Sequence, residues 1–284
     1  YSVFLIFYYR KYLKNSLIKT NQIDVGLSAI LLKLFSKKDI VLRGGYIKSS
    51  LLKNTFQLQS NSLYKKIIAY IKFKIITFYE YLSIKIIGKV IVSNYEDKKF
   101  LNDYLNLKKE KVFVIPSFVS TKIFKSKLKI SHRLNEFLYV GRLSEEKNLF
   151  NVIESVIKSD YKLNIIGGGR LEDELKLFSK KNKYDVNFIS NIPNEKLPLY
   201  MNKYKYFILG SLSEGLPKVL LEAMSCGMIC FVNNIPAIQK IIENNYNGII
   251  LSNINNKEVK SSLKYLNNKN ELLISNNSIK YINQ

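Results

Sequence analysis

From Glu136 onward, short apolar runs alternate with longer stretches of mixed polarity. The runs fall at residues 137–140, 163–166, 186–189, 206–209, 229–232 and 248–251. A continuous apolar run suits a strand buried on both faces, and strand-length runs separated by helix-length stretches predict βαβ units on a parallel sheet. Before Ser120 the rhythm is looser. Strand-like runs occur at 39–42, 90–93 and 112–116. Between the first two lies a long helical pattern, about 62–87, in which Tyr64, Ile67, Ile68, Ile71 and Phe73 mix with Lys65, Lys66, Lys72 and Lys74. Residues 116–131 carry few apolar anchors and read as a linker. The expectation is an α/β protein of two domains: a partial amino-terminal Rossmann-like domain over 1–120 and a carboxyl-terminal one over 121–284.

Length and composition agree with this division. The 284 residues suit two ordinary domains, and 47% hydrophobic with 24% charged residues is a globular composition. The formal net charge of +23 changes the picture less than its size suggests. Lys, Asn, Ile and Tyr are abundant throughout, with no Arg-rich stripe or nucleic-acid-reading motif, so nucleic acid is not expected as a partner. An anionic substrate or an anionic membrane surface fits the charge equally well. The basic helical pattern could lie on such a surface, or be an ordinary helix whose lysine stems lie along its buried face. Cys226 and Cys230 sit in apolar stretches without metal-ligand spacing and read as small core residues, with a cytoplasmic compartment as the default. The chain opens at Tyr1, and the expectation is a fragment whose first domain is truncated at its amino terminus. No run of about 18 uncharged apolar residues is present, so none is expected to span a membrane.

Three segments carry candidate chemistry. In open α/β sheets ligands bind beyond the carboxyl ends of the strands. The run at 206–209 leads into Gly210-Ser211-Leu212-Ser213-Glu214-Gly215-Leu216-Pro217 and then Lys218-Val219-Leu220-Leu221-Glu222. Pro217 suits a first helical position and Gly215 permits close backbone approach. The free N–H groups from Leu216 to Val219 would accept a diphosphate. Glu222 then falls on the order of 7.5 Å along the helix, roughly the reach from a diphosphate to a ribose. A carboxylate among Val219, Leu220, Leu221, Ala223 and Met224 needs a partner, either sugar hydroxyls or a lysine or arginine of the chain. Glu214 reads as a ligand of the donor or as an exposed loop acid.

The second segment, Gly141-Arg142-Leu143-Ser144-Glu145-Glu146-Lys147-Asn148, follows the first run of the second domain. Arg142 and Lys147 offer fixed cations to a diphosphate whose charge grows as it departs. The third, Ile166-Gly167-Gly168-Gly169-Arg170, is a weak dinucleotide-like fingerprint or a plain tight turn, since Glu172 stands where a third glycine belongs. His132 is the only histidine, which argues against Ser-His-Asp and Cys-His hydrolases. No Asp/His cluster suggests a metal, and no cofactor is expected.

In this order and spacing, the three segments resemble the donor domain of GT-B-fold glycosyltransferases, specifically the retaining family-4 group, across about residues 111–251. Asn187 to Ile192, Gly227 and Asn247-Gly248 extend the likeness, and Glu214 and Glu222 form its E-x7-E motif. The resemblance implies two Rossmann-like domains facing a cleft, with a nucleotide-diphosphate sugar held mainly by the second. Arg142 and Lys147 would hold the diphosphate, and Glu214 sugar hydroxyls, with backbone N–H groups near Gly215, Leu216 and Pro217 assisting. Glu222 would bind the ribose and Ile192 the base through its backbone; Gly141, Gly167 and Gly169 would border the donor. It further implies metal-independent transfer with retention, the leaving phosphate helping to deprotonate a saccharide or lipid-linked glycan acceptor. That would place the chain in cell-surface polysaccharide or lipopolysaccharide synthesis, in the cytoplasm or peripherally on the inner membrane face. The glycine-rich acceptor loop and a first-domain histidine are not found, and Pro116-Ser117-Phe118-Val119-Ser120 replaces a Pro-Asn-Gly-Val-Asp pattern. The alternatives are a GT-B-fold nucleotide-sugar epimerase, which would need first-domain acid/base carboxylates, and a non-catalytic nucleotide-sugar or nucleic-acid binding module.

Overall fold

The computed structural model describes residues 17–20, 23, 29–31, 33–34, 39–44, 47, 49, 63–104, 106, 111–116 and 118–284. The chain divides into two compact units, Tyr1–Ser117 and Phe118–Gln284.

In the first unit, β1 (Ile18–Lys19), β2 (Ile40–Gly44), β3 (Val90–Val92) and β4 (Val112–Val114) form a parallel sheet in that order. Helix α1 (Leu63–Ile87) precedes β3 and α2 (Tyr95–Tyr104) follows it. Leu42, Ile84, Val90, Val92, Leu101 and Val112 make its core. One stripe of α1, Phe73, Thr77, Glu80, Ile84 and Ile87, is buried. A second stripe at the same helical spacing, Ile68, Ile71, Ile75, Phe78, Leu82 and Ile86, is 37–66% exposed. The side chains of Lys65 and Lys66 lie outside the described residues. Among the described residues no helix is long and apolar enough to cross a membrane.

The second unit alternates strand and helix throughout: β5 (Leu134–Val140), α3 (Leu149–Ile157), β6 (Leu163–Ile166), α4 (Glu172–Lys181), β7 (Val186–Ile189), α5 (Leu197–Lys203), β8 (Tyr204–Leu209), α6 (Lys218–Ser225) and β9 (Ile229–Asn233). There follow α7 (Pro236–Gln239), β10 (Ile249–Leu251), α8 (Asn256–Tyr265) and α9 (Asn268–Ile282). The sheet order is β10-β9-β8-β5-β6-β7, and every pairing is parallel. This is the doubly wound order in which the chain starts at the centre, builds one half outward, then returns to build the other. Its switch point lies between β5 and β8, the place where open α/β sheets bind their ligands.

All of β6 and β8 is buried, Asn164 and Lys205 included, whereas the edge strand β7 is only partly buried. Strand β5 begins earlier than its apolar run, at Leu134, with a register irregularity between Leu134 and Phe137 in its pairing with β8. The segment expected as a linker is instead seated on the second unit from Phe118 onward. Phe124 and Ile130 enter that unit's core, and Ser225 Oγ donates to the Phe124 carbonyl at 2.5 Å. Asn202 adds polar ties to this strap, accepting from Lys127 N–H at 2.6 Å and donating to the Lys125 carbonyl at 3.0 Å. Behind it, the buried Arg133 donates to the carbonyls of Leu128, Met201 and Cys226 and to Ser126 Oγ. Burial draws its pKa down to about 10, so it remains charged at neutral pH.

Candidate functional site

The site is assembled at the switch point from the loops that leave β5 and β8. After Val140 the chain turns at Gly141, and the Tyr139 hydroxyl donates to the Arg142 carbonyl at 2.9 Å. Burial raises the Tyr139 pKa, as do the carboxylates of Glu214 and Glu146, with Arg142 opposing. The phenol is therefore a neutral, permanent donor beneath the loop.

The glycine-rich turn after β6 supports this loop from the side. Gly141 N–H donates to the Ile166 carbonyl and Leu143 N–H to that of Gly168, both at 3.0 Å, and Leu171 N–H donates back to Leu143 at 3.2 Å. A Cβ on Gly167, whose φ is +145°, would stand 1.9 Å from the Gly141 carbonyl oxygen; one on Gly169 would stand 2.3 Å from that of Leu143. Two backbones touch here, which only glycine permits. The dinucleotide-like triplet thus has a packing task visible in the structure, and α4 begins after it, at Glu172.

Arg142 is exposed and makes no ion pair among the described residues. Lys147 closes a short 3-10 turn, Glu145–Lys147, before Asn148 in the left-handed region (φ 56°) starts α3. Its Nζ meets Glu214 Oε1 at 2.5 Å, with the side chains only 19% and 12% exposed. Ser211 Oγ donates to the same oxygen at 2.7 Å. Glu214 is therefore a largely buried, paired carboxylate and not an exposed loop acid. The β8 loop is fastened on both sides, by Leu212 N–H to the Glu146 carbonyl (2.9 Å) and by Asn233 Nδ2 to the Ser211 carbonyl (3.1 Å).

Pro217 stands one place earlier than expected. It is the N-cap of α6, with ψ 98°, and the helix starts at Lys218. Its carbonyl accepts the first helical bond, from Leu220 N–H at 3.0 Å. The N–H groups of Gly215, Leu216, Lys218 and Val219 have no acceptor among the described residues, leaving the positive end of α6 open to an anion. Leu216 packs partly into the core beside it. Glu222, the fifth residue of α6, is half-buried, and its carboxylate has no hydrogen-bond or ion-pair partner among the described residues. Burial raises its pKa from the ordinary 4.5, with Lys218 one turn earlier pulling the other way. Ile192, in the loop beyond β7, packs partly against the core. Among the described residues no cluster of three or more His, Cys, Asp or Glu could hold a metal.

The structure therefore joins Lys147 to Glu214, sets Arg142 on the adjoining loop and places Glu222 along the helix whose start the β8 loop forms. Sequence reasoning missed Ser211 and Asn233. The available signal was a serine one short turn before Glu214 and an asparagine ending the neighbouring strand.

Residues 120–281 match the family model described as "Glycosyl transferases group 1". A UDP-Gal:alpha-D-GlcNAc-diphosphoundecaprenol alpha-1,3-galactosyltransferase of Escherichia coli is 29% identical over 195 residues, 61% of this chain and 49% of that protein. A Campylobacter jejuni alpha-1,4-N-acetyl-D-galactosaminyltransferase, named for a diNAcBac-PP-undecaprenol-linked substrate, is 28% identical over 192 residues, 64% of this chain and 51% of that protein. The chain thus spans about half the length of these curated relatives. Among solved structures, HepE of Anabaena in complex with UDP-glucose superposes with a TM-score of 0.74, covering 99% of this chain and 77% of that one at 14% identity. The fold is of the GT-B class, as the motif order implied.

Proposed function

This chain belongs to the glycosyl transferases group 1 family, and from that premise we propose that it transfers a sugar from a nucleotide-diphosphate sugar to a saccharide or lipid-linked glycan in cell-surface glycan synthesis. The observation that carries this is the Lys147–Glu214 pair at 2.5 Å, set at the sheet's switch point between the Arg142 loop and the open N–H groups of α6. A cation and a helix start suit the phosphates of such a donor, and a shielded carboxylate beside them suits its sugar. Arg142 and Lys147 stabilise the departing diphosphate, whose charge grows as the glycosidic bond breaks. Glu214 accepts from sugar hydroxyls. Glu222 lacks a partner of its own and accepts from the ribose; Ile192 offers backbone to the base. With leaving-group charge met by side chains and helix, the reaction is proposed to be metal-independent, and the departing phosphate takes the acceptor's proton, so transfer retains configuration.

The acceptor side is proposed to meet an anionic membrane at its inner face. The exposed stripe Ile68, Ile71, Ile75, Phe78, Leu82 and Ile86 runs along α1, while Lys72, Lys74 and Lys85 are exposed and the helix's only acid, Glu80, is buried. Such a face suits apolar insertion beneath anionic headgroups.

A panel of UDP-, GDP- and ADP-sugars, scored for hydrolysis and transfer, tests the activity. One of them should be consumed, and Glu214→Ala should abolish consumption while the variant still unfolds in one cooperative transition; undiminished transfer would remove Glu214 from its role. Flotation with phosphatidylglycerol vesicles tests the membrane contact. Binding should be lost in Ile71→Ser/Ile75→Ser/Phe78→Ser, and equal binding by that variant would reject the α1 face.

A further inference from the structure

The two oxygens of Glu214 have different surroundings. Oε1 receives both Lys147 Nζ, at 2.5 Å, and Ser211 Oγ, at 2.7 Å. Oε2 has no hydrogen-bond partner among the described residues. Because both holders converge on one oxygen, they fix the plane of the carboxylate as well as its position. They also leave the second oxygen with its acceptor capacity unspent.

Ser211 is itself rigidly placed. It is fully buried, directly beyond the Gly210 that follows β8. Its carbonyl accepts from Asn233 Nδ2 at 3.1 Å, at the last residue of the neighbouring strand β9. On the other side Leu212 N–H donates to the Glu146 carbonyl at 2.9 Å, within the loop that carries Lys147. The ends of three adjacent strands, β5, β8 and β9, thus fasten the loop whose Ser211 holds this carboxylate oxygen. A flexible glutamate held only by a flexible lysine would sweep several rotamers. A buried serine tied to the sheet removes that freedom before any ligand arrives.

We propose that Ser211, anchored by Asn233, is a positioning residue that reserves Glu214 Oε2 as the acceptor for hydroxyls of the transferred sugar. The inference rests on the proposed role of Glu214 and deepens it by dividing the carboxylate into a structural oxygen and a reading oxygen. It assigns Ser211 an effect on the sugar half of the donor and none on the nucleoside diphosphate half.

The test uses the full chain with two probe pairs, UDP with UDP-glucose and GDP with GDP-mannose, and follows the pair that the wild-type protein binds. Ser211→Ala should weaken the nucleotide sugar, or lower kcat/KM for its consumption, by roughly ten- to a hundredfold, the scale of one hydrogen bond to a charged group. Affinity for the bare nucleoside diphosphate should stay within about twofold, since the diphosphate and ribose contacts are untouched. Asn233→Ala should shift the same ratio in the same direction. In a Glu214→Ala background, where consumption is already lost, Ser211→Ala should cause no further loss of nucleotide-sugar affinity, because it acts through that carboxylate. Equal losses for sugar nucleotide and bare diphosphate would mark Ser211 as a fold residue and overturn the proposal, as would additive losses in the double variant. If Glu214→Ala abolishes consumption while Ser211→Ala matches wild type, the positioning role fails and the activity stands. If Glu214→Ala is itself without effect, the reading of the site fails first.

Discussion

Among single residues, Glu222 gives the sharpest measurable consequence. Its carboxyl pKa is raised by burial above the ordinary 4.5. In the interval from the unfolded value up to the raised one, the folded state holds a proton that the unfolded chain has released. Stability must therefore fall as pH climbs through that interval, and at neutral pH the ionised carboxylate is a net cost to the fold. Glu222→Gln removes the charge and should raise the unliganded melting temperature at pH 7 by about 1–3 °C, with a flatter pH dependence above about pH 4.5. The same change should weaken nucleotide-sugar binding about tenfold, since a charged acceptor is lost. A lower melting temperature would mean the carboxylate has a stabilising partner after all. Gly167 makes the opposite case. A Cβ there would meet the Gly141 carbonyl at 1.9 Å and sit at φ +145°, so Gly167→Ala should cost roughly 2 kcal/mol or more in urea unfolding. An unchanged midpoint would mean the two loops can part without penalty. Both glutamates of the site were legible in the sequence because a carboxylate inside an apolar helix, and another just before it, are chemically conspicuous. Ser211 was not, because a loop serine is ordinary until its one acceptor is known.

At the scale of elements, legibility followed burial. Strand β6 begins and ends where its run does and is buried throughout; the edge strand β7 keeps its run's bounds while only partly buried, and its Asn187 Nδ2 donates to Asn164 Oδ1 of β6 at 2.9 Å. The strap from Phe118 to His132 escaped because only Phe124 and Ile130 bury fully in it, with Val119 packed partly against the core, and much of the rest of its attachment is polar. Arg133 provides much of that attachment. Its guanidinium satisfies three main-chain carbonyls from three places: Leu128 in the strap, Met201 in α5 and Cys226 at the end of α6. Removing it leaves those acceptors buried without donors, each costing about 1–3 kcal/mol before relaxation. Arg133→Met should therefore lower stability by roughly 2–4 kcal/mol in denaturant titration. Because Cys226 caps α6, the helix that carries Glu222, nucleotide-sugar affinity should fall as well. A midpoint within about 0.5 kcal/mol of wild type would show that the strap is held by its apolar anchors alone.

At the scale of the whole molecule, all residues assigned to the donor stand in one unit. Arg142, Lys147, Ile192, Glu214 and Glu222 lie within Phe118–Gln284, around a single hydrophobic core. The strap belongs to that core, and the last helix is tied to it from within. Lys205 Nζ meets Glu271 Oε2 at 2.9 Å, and the Tyr206 hydroxyl donates to Glu271 Oε1 at 2.7 Å, linking α9 to the central strand β8 in a buried cluster. Residues 118–284 therefore hold everything a domain of ordinary size needs to fold alone. Expressed by themselves they should unfold in one cooperative transition, and the same nucleoside diphosphate should bind within about threefold of its affinity for the full chain. Transfer should disappear, because the acceptor side and the proposed membrane contact of helix α1 are assigned to the first unit. Calorimetry and a transfer assay on the isolated segment separate the outcomes. Retained transfer would move the acceptor site into the second unit, and lost nucleotide binding would mean that the donor site needs the first unit to form.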